Sequence, residues 1–420
     1  MTAKTPNPPP KKDPQKRTTS PTQPPATRSR AALGLTAAAA EGRFALQVCA
    51  ECGTVQYPPR DACAHCLNTA LLWQDVPETG TLRAETTVNT STNLYFRERG
   101  DWRVGTVQLD AGPSVVCHLS AECEANGRVA LAARLDRSGQ SVLIARPEGS
   151  KAKLADDPQL KVLTSDPRHA RVLLTDLRNP NAPALAEALL AAGAETVFVG
   201  ESEAWRKDQQ RDLLADMPGV EILPLDVTDS TSVRELAAEM GGKIEIVINN
   251  ARFLRPGRLS DRSDTVFAAQ EMEVNYLGLL RLAQGFGPAL AARTADGKRP
   301  ALAWVNILSV FALNPVPGFD TFAASQAAAR ALSQSMRTAF QPSGLRVTNV
   351  YTGPTEDEWH QPVPPPKVAP VALARDVVHA LQEGLEEVAS GDMARDLIQR
   401  FQEHPGVFER EITFGGGGIS

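Results

Sequence analysis

The chain has 420 residues, room for two or three domains, with 42% apolar residues and a formal net charge of -5 at pH 7. That balance excludes the global basic field that nucleic-acid binders carry, and no apolar run approaches the roughly 20 residues needed to cross a bilayer. The N-terminal lysines are followed by no apolar segment, so a secretory signal is not expected and the chain reads as a cytoplasmic protein with no membrane contact.

Residues 1–30 are rich in Pro, Thr, Ser, Lys and Arg, with almost nothing apolar to bury, and are expected to form a disordered tail. Its charges (Lys4, Lys11, Lys12, Lys16, Arg17, Arg28, Arg30) are read as solvated rather than as a contact for an acidic partner. The Ala-rich stretch from Ala31 to Phe44 predicts a short helix leading into a cysteine cluster, so residues 31–70 form a helix-and-ribbon unit. Cys49-Ala-Glu-Cys52 and Cys63-Ala-His-Cys66 give C-x2-C-x10-C-x2-C. Four thiolates so spaced can converge tetrahedrally on one Zn²⁺ at about 2.3 Å and leave no position open, which makes the metal structural. Without an export signal, two tight cysteine pairs favour metal over disulfides. His65 is read as a bystander, and Cys117 and Cys123 as ordinary thiols.

Residues 71–149 change to short alternating strands beginning near Gly80, Trp102, Ser114, Arg128 and Ser141, separated by Gly, Pro and Asp turns. Five such strands predict a small β-barrel of the OB type. A barrel of that kind can bind single-stranded nucleic acid on an aromatic platform, here Tyr95, Phe96 and Trp102 beside Arg97, Arg99 and Arg103. Glu98 and Asp101 break the basic run, so nucleic acid is not the expected partner. A polar linker is read over 150–169. From 170 to 420, apolar strands starting at Arg171, Thr196, Val220, Ile244, Ala301 and Arg346 alternate with amphipathic helices, which predicts an α/β doubly wound, Rossmann-like parallel sheet.

Two resemblances then become specific. Cys49-x2-Cys52-Gly53, Pro58-Pro59-Arg60, Cys63-x2-Cys66, Trp73 and Gly80-Thr81-Leu82, with Val107-Gln-Leu-Asp-Ala-Gly112 and Gly127-Arg-Val, resemble the zinc-ribbon/OB-fold proteins that accompany thiolases and ketosynthase-like acyltransferases. This similarity covers about residues 40–150. It implies a non-catalytic subunit that docks on a thiolase-type enzyme and helps to bind or hand over a CoA-linked acyl chain.

About residues 170–415 resemble the short-chain dehydrogenase/reductase family. The resemblance places the Gly-rich phosphate loop at 175–182, where Asp176, Pro180 and Ala182 hold the glycine positions. A carboxylate facing a diphosphate repels it, and proline removes a backbone N–H. Asp226 matches the adenine-side Asp-Val, and Asn249-Asn250-Ala251-Arg252 matches Asn-Asn-Ala-Gly with Arg252 in place of the last glycine, projecting towards cofactor space. Asn275 matches the proton-relay asparagine and Ser309 the substrate-orienting serine. Phe322 stands where the family has its acid/base tyrosine, and Gln326 where it has its lysine. A phenyl ring has no hydroxyl to exchange a proton, and a neutral amide cannot depress a neighbouring pKa as an ammonium does. NAD(P) binding and hydride transfer are therefore not expected, although Tyr276 and Tyr351 lie near enough in sequence to ask whether either could substitute. The stretches 264–291 and 322–340 predict long helices, the second carrying small apolar residues suited to homo- or hetero-oligomer contact. The sequence thus predicts an accessory subunit of a thiolase-like complex, sharing an acyl-CoA with its partner. The alternative is an atypical NAD(P)-dependent hydroxyacyl-CoA or ketoacyl-CoA oxidoreductase.

Overall fold

A computed structural model describes residues 22–205, 209–295, 300–361 and 363–414. Most of the tail expected to be disordered, residues 1–21, lies outside them. Helix α1 (Leu33–Ala40) leads into a three-stranded antiparallel ribbon of β1 (Ala45–Cys49), β2 (Val55–Gln56) and β3 (Leu71–Asp75), in the order β2-β1-β3. Gly34 has no side chain because Trp73 lies against it; a Cβ there would fall 2.1 Å from the indole nitrogen.

The predicted barrel is present and closed. Its strands are β4 (Thr79–Val88), β5 (Trp102–Leu109), β6 (Ser114–Leu119), β7 (Arg128–Leu135) and β8 (Ser141–Pro147), and the order round the barrel is β4-β5-β6-β8-β7. Alternate side chains such as Leu82, Val107, Leu119, Val129 and Leu131 point inwards and are almost fully buried, as the two-residue period of a strand requires. Helix α2 (Leu94–Arg99) follows β4 and is capped by Asn93, whose side chain accepts the Tyr95 N–H at 2.9 Å. Tyr95 and Trp102 are buried and pack on Phe96 with ring centroids 5.2 and 5.3 Å apart, while the Trp102 indole donates to His118 Nδ1 at 2.6 Å. Tyr95 and Trp102 are core; the rings meet edge to face, at interplanar angles of 89° and 77°, and Arg99 lies 3.7 Å over the Tyr95 ring, where a base would have to stack.

The segment read as a polar linker is an ordered strap. Leu154, Leu160 and Leu163 are buried against Ile144 of β8. Residues 22–29 correct the tail expectation at its C-terminal end. They run extended along the body, where Pro24 is buried and Gln23 donates to the Gln341 carbonyl at 2.8 Å. In both segments a few spaced apolar or amide side chains anchor an otherwise polar run.

The C-terminal half is a seven-stranded parallel sheet: β9 (Arg171–Leu174), β10 (Thr196–Glu201), β11 (Val220–Pro224), β12 (Ile246–Asn249), β13 (Ala303–Ser309), β14 (Arg346–Thr352) and β15 (Glu387–Ser390), ordered β11-β10-β9-β12-β13-β14-β15. Strands β9, β12, β13 and β14 are almost uniformly buried, because helices cover both faces. Those helices are α3 (Ala182–Ala191), α4 (Gln209–Ala215), α5 (Ser230–Met240), α6 (Val266–Met272), α7 (Leu279–Ala295), α8 (Asp320–Phe340), α9 (Pro370–Glu383), α10 (Asp392–Glu403) and α11 (Pro405–Phe414). The long helix expected over 264–291 is interrupted between α6 and α7 by a π-helical stretch, Glu273–Gly278. Strand order reverses between β9 and β12, which opens a crevice at their carboxyl ends. Among the described residues, no helix is long and apolar enough to cross a membrane.

The two halves share one seam. Arg346 at the start of β14 donates to the carbonyls of Leu135 at 3.0 Å and Leu163 at 2.9 Å. Arg134 pairs with Glu383, and the Glu386 N–H reaches the Ala40 carbonyl at 2.9 Å. Gly384 ends α9 with φ +66°, and a Cβ there would meet the Leu163 carbonyl at 2.1 Å, so only glycine lets strap and sheet approach this closely.

Candidate functional site

At the β9–β12 crevice, side chains lace the two loops together. Thr175 Oγ1 donates to Asn249 Oδ1 at 2.9 Å. Asn250 takes the Asp176 N–H on Oδ1 at 2.9 Å and donates Nδ2 to the Asp176 carbonyl at 2.7 Å, while Asn179 donates to the Asn250 carbonyl at 2.6 Å. The Asp176 carboxylate bends back to accept the Arg178 N–H at 2.9 Å, closing an Asx turn. Burial raises its pKa to about 6, opposed by that N–H and by the charges of Arg178 and Arg252. Pro180 sits in the same loop, and Ala182, fully buried, opens α3. Further along, the Asp226 carboxylate accepts the N–H and hydroxyl of Thr228 at 2.8 and 2.7 Å.

Arg252 reaches across the crevice rather than into open space. Its guanidinium donates to Thr355 Oγ1 at 3.2 Å and Asp357 Oδ2 at 2.6 Å, on the loop after β14. Asp357 is 2% exposed, and its other oxygen accepts the N–H groups of Trp359 and His360 and lies 2.9 Å from His360 Nδ1. Burial works against its charge, but the His360 hydrogen bond, Arg252 and Thr355 outweigh burial and hold the carboxyl below the usual range. His360, stacked on Phe319, has its pKa lowered by burial. Arg255 lies between the rings of Phe253 and Trp359, 4.6 and 3.8 Å from their centroids. This cross-link between the β12 and β14 loops is not apparent from the spacing of Arg252 and Asp357 in sequence.

The positions aligned with the family's reacting groups are packed and bonded. Phe322 is fully buried in the main hydrophobic cluster. Gln326 Oε1 accepts the Ser309 N–H at 2.8 Å, and Ser309 Oγ accepts the Phe311 N–H at 3.2 Å. The π-helical stretch carries Asn275, whose Oδ1 accepts the Phe253 N–H at 2.8 Å. Its Nδ2 donates to the Phe253 carbonyl at 2.9 Å and to Ser325 Oγ at 2.8 Å, so both amide hydrogens are spent on protein. Tyr351 is buried with its hydroxyl 3.3 Å from Arg330 Nε, and burial pushes its pKa up to about 12. It lines a cavity of about 1070 Å³ that is also bounded by α10, β15 and Trp73 of the ribbon. Tyr276 lies half-buried on the π-helical stretch beside Asn275.

The cysteine cluster has a different character. The sulfurs of Cys49, Cys52, Cys63 and Cys66 all lie within 4.8 Å of one another. Cys49 and Cys66 are 3.5 Å apart, and Cys52 and Cys63 are 3.6 Å apart. A tetrahedron of Zn–S bonds about 2.3 Å long requires sulfur separations of about 3.8 Å, so the donor set fits the ion. Two matching knuckles supply it. Gly53 N–H returns to the Cys49 carbonyl at 2.9 Å and Leu67 N–H to the Cys63 carbonyl at 3.0 Å, each at a left-handed residue. His65 is exposed and gives only its backbone N–H to Cys63 Sγ.

Comparison with known proteins divides the chain in the same way. Residues 36–71 match the family model described as ChsH2, rubredoxin-like zinc ribbon domain, residues 73–135 match ChsH2, C-terminal OB-fold domain, and residues 182–366 match short chain dehydrogenase. The short-chain dehydrogenase ptmH of Penicillium ochrochloron is 31% identical over 192 residues, which are 44% of this chain and 67% of that protein. The 3-ketodihydrosphingosine reductase of Dictyostelium discoideum is 26% identical over 188 residues, 40% of this chain and 55% of that protein. The chain therefore spans 67% and 55% of the length of these two curated relatives. A short chain dehydrogenase from Burkholderia cenocepacia J2315, solved in complex with NADP, superposes with a TM-score of 0.52 at 31% identity, covering 58% of this chain and 98% of that one.

Proposed function

We propose, for a chain that belongs to the short-chain dehydrogenase/reductase family in its C-terminal half and to the ChsH2-type zinc-ribbon/OB-fold family ahead of it, that it works as a non-catalytic accessory subunit. The partner is a thiolase-like or ketosynthase-like acyltransferase in the cytoplasm, which supplies the nucleophile and shares an acyl-CoA with this chain. Zinc, held by Cys49, Cys52, Cys63 and Cys66, supplies a structural cross-link only, since four sulfur ligands fill a tetrahedral ion. The dehydrogenase-like half serves oligomerisation or docking. Its helix α8 supports this, with exposed Ala324, Ala327, Ala331, Ser335 and Thr338 forming a small, uncharged face.

One observation carries the reading: the tyrosine and lysine positions are Phe322 and Gln326, and the amide of Gln326 is fixed to the Ser309 backbone. General acid–base groups contribute about 10²–10⁴-fold each, so losing both leaves no useful proton transfer. The Arg252–Asp357 bridge and the Asp176 carboxylate add steric and electrostatic obstacles to a dinucleotide.

The rival is the NAD(P)-dependent oxidoreductase. In its favour stands the NADP held by the Burkholderia cenocepacia protein at 31% identity. Calorimetric titration of the zinc-loaded full chain with NADPH and NADH separates the two. No saturable heat up to millimolar cofactor is expected, and micromolar binding with turnover of a ketoacyl-CoA would replace the accessory reading with the rival. Co-purification from the native host is expected to bring down a thiolase-like protein in fixed stoichiometry.

A further inference from the structure

We propose that the seam between the barrel and the dehydrogenase-like half holds a binding site for a phosphate-type anion, with Arg137 as its principal contact. The site is a cavity of about 370 Å³ between the β7–β8 turn, 136–140, and the α8–β14 connection, 341–346. That volume has room for on the order of ten waters, enough for a phosphate and part of its hydration shell. The inference does not depend on there being a thiolase-like partner.

The charges lining this cavity do not balance. The Arg137 side chain is half-buried and makes no hydrogen bond or ion pair with any described residue, which leaves its guanidinium to the solvent and the cavity. Beside it, Arg346 spends its donors on the neutral oxygens of Leu135, Leu163 and Ser165. Burial lowers the pKa of both groups; Tyr95 opposes this at Arg137 and Glu386 and Asp136 oppose it at Arg346, while repulsion from Arg99 on Arg137, and from Arg137 on Arg346, adds to it.

Two carboxylates line the same cavity, Asp136 and Glu386, and offset part of this charge. Asp136 Oδ1 accepts the Ser138 N–H, the Ser138 hydroxyl and the Gln140 N–H at 2.9, 2.7 and 3.0 Å, while Oδ2 is buried without a hydrogen-bond partner among the described residues and lies 3.8 Å from Arg28. Glu386, its pKa raised by burial, stands 3.7 Å from Arg337, which also pairs with Glu387. Three guanidinium groups against two carboxylates leave one positive charge facing a space of ligand size. A guanidinium presents its N–H groups as a planar fork, which matches two oxygens of a phosphate. The phosphate has two sources, the free anion or a phosphate of a CoA thioester.

The test uses the zinc-loaded full chain in a phosphate-free buffer at constant ionic strength, titrated calorimetrically with inorganic phosphate and then with CoA. Saturable binding is expected, weakened about tenfold or more in R137Q and partly kept in R137K. CoA binding at least tenfold tighter than phosphate would identify the CoA phosphates as the natural occupant, and equal affinities would identify the free anion. Because Arg137 has no hydrogen-bond or ion-pair partner among the described residues, R137Q should melt no lower than wild type without phosphate, and only wild type should gain melting temperature when phosphate is added. The proposal fails if neither compound gives saturable heat, if R137Q binds as tightly as wild type, or if R137Q is less stable than wild type with no anion present.

Discussion

The ribbon and the dehydrogenase-like crevice are two sites of the same chain that answer their family patterns in opposite ways. In the ribbon, every ligand position holds a cysteine, and the four sulfurs converge within 4.8 Å of one another. In the crevice the strands, turns and supporting asparagines are in place, but the reacting positions hold a phenyl ring and an amide that bond or pack inwards. A structural metal site cannot lose a donor cheaply, because the ion supplies much of the energy that folds it. An α/β crevice is different. Its loops can be held by hydrogen bonds and one ion pair among themselves, so under the accessory reading proposed above the fold would outlast the loss of its ligand contacts.

The largest effect is expected at the ribbon. Structural zinc contributes about 10–16 kcal/mol to the folding of small zinc modules. Stripping the metal with a chelator, or Cys63→Ser, should unfold residues 45–75 while the parallel sheet keeps its far-ultraviolet dichroism. Metal analysis should give one zinc per chain. A ribbon that keeps its amide-exchange protection after zinc removal would erase the contrast between the halves.

Next in size is the bridge across the crevice. Arg252→Ala leaves the Asp357 carboxylate, 2% exposed, with its arginine gone. Breaking a buried pair on one side costs about 3–5 kcal/mol, and the partly exposed arginine places this variant at the lower end. Urea unfolding monitored by Trp359 and its neighbours should show the loss. An unchanged midpoint would mean that the bridge does not hold the two loops.

The smallest effect concerns Asp176 and depends on pH. Its folded pKa, about 6, lies above the ordinary carboxyl value of 3.8. Below pH 4 the group is protonated in both states and costs nothing. Between pH 4 and 6 the unfolded chain releases the proton more readily, and above pH 6 the full penalty falls on the folded state. Asp176→Asn keeps an oxygen for the Arg178 N–H and should therefore be more stable than wild type at pH 8, by about 1–2 kcal/mol after allowance for partial exposure. The advantage should vanish towards pH 4. A gain that does not change with pH would mean that charge is not its cause.

Local patterns in the sequence were enough to read most of the frame. The four ligands, the five barrel strands and six strands of the parallel sheet announce themselves through fixed spacing or runs of Val, Ile and Leu. The seventh, Glu387-Val-Ala-Ser390, has only four residues and no apolar run, and it becomes a strand because β14 lies beside it. The strap over 154–163 resembles a linker in sequence because its three buried leucines sit in a polar run, and their binding surface on β8 lies elsewhere in the chain. In the crevice, the substitutions at Phe322, Gln326 and Arg252 were legible, but the partners were not. Arg252 meets Asp357 across 105 residues, and Asn275 is oriented by a π-helical turn that no spacing rule predicts. Tertiary pairings of this kind depend on the folded sheet, and single-residue patterns do not encode them.

The contact between the Ala40 carbonyl and the Glu386 N–H has a consequence for self-association. The outer border of a sheet is where a foreign strand can be recruited, and proteins commonly blunt it to stay dispersed. Here the end of α1 and the turn after it meet one end of that border, at the residue preceding β15, with Gly42 lying against Leu385. Detaching the N-terminal half would uncover the border and should make the remaining fragment prone to polymerise edge to edge.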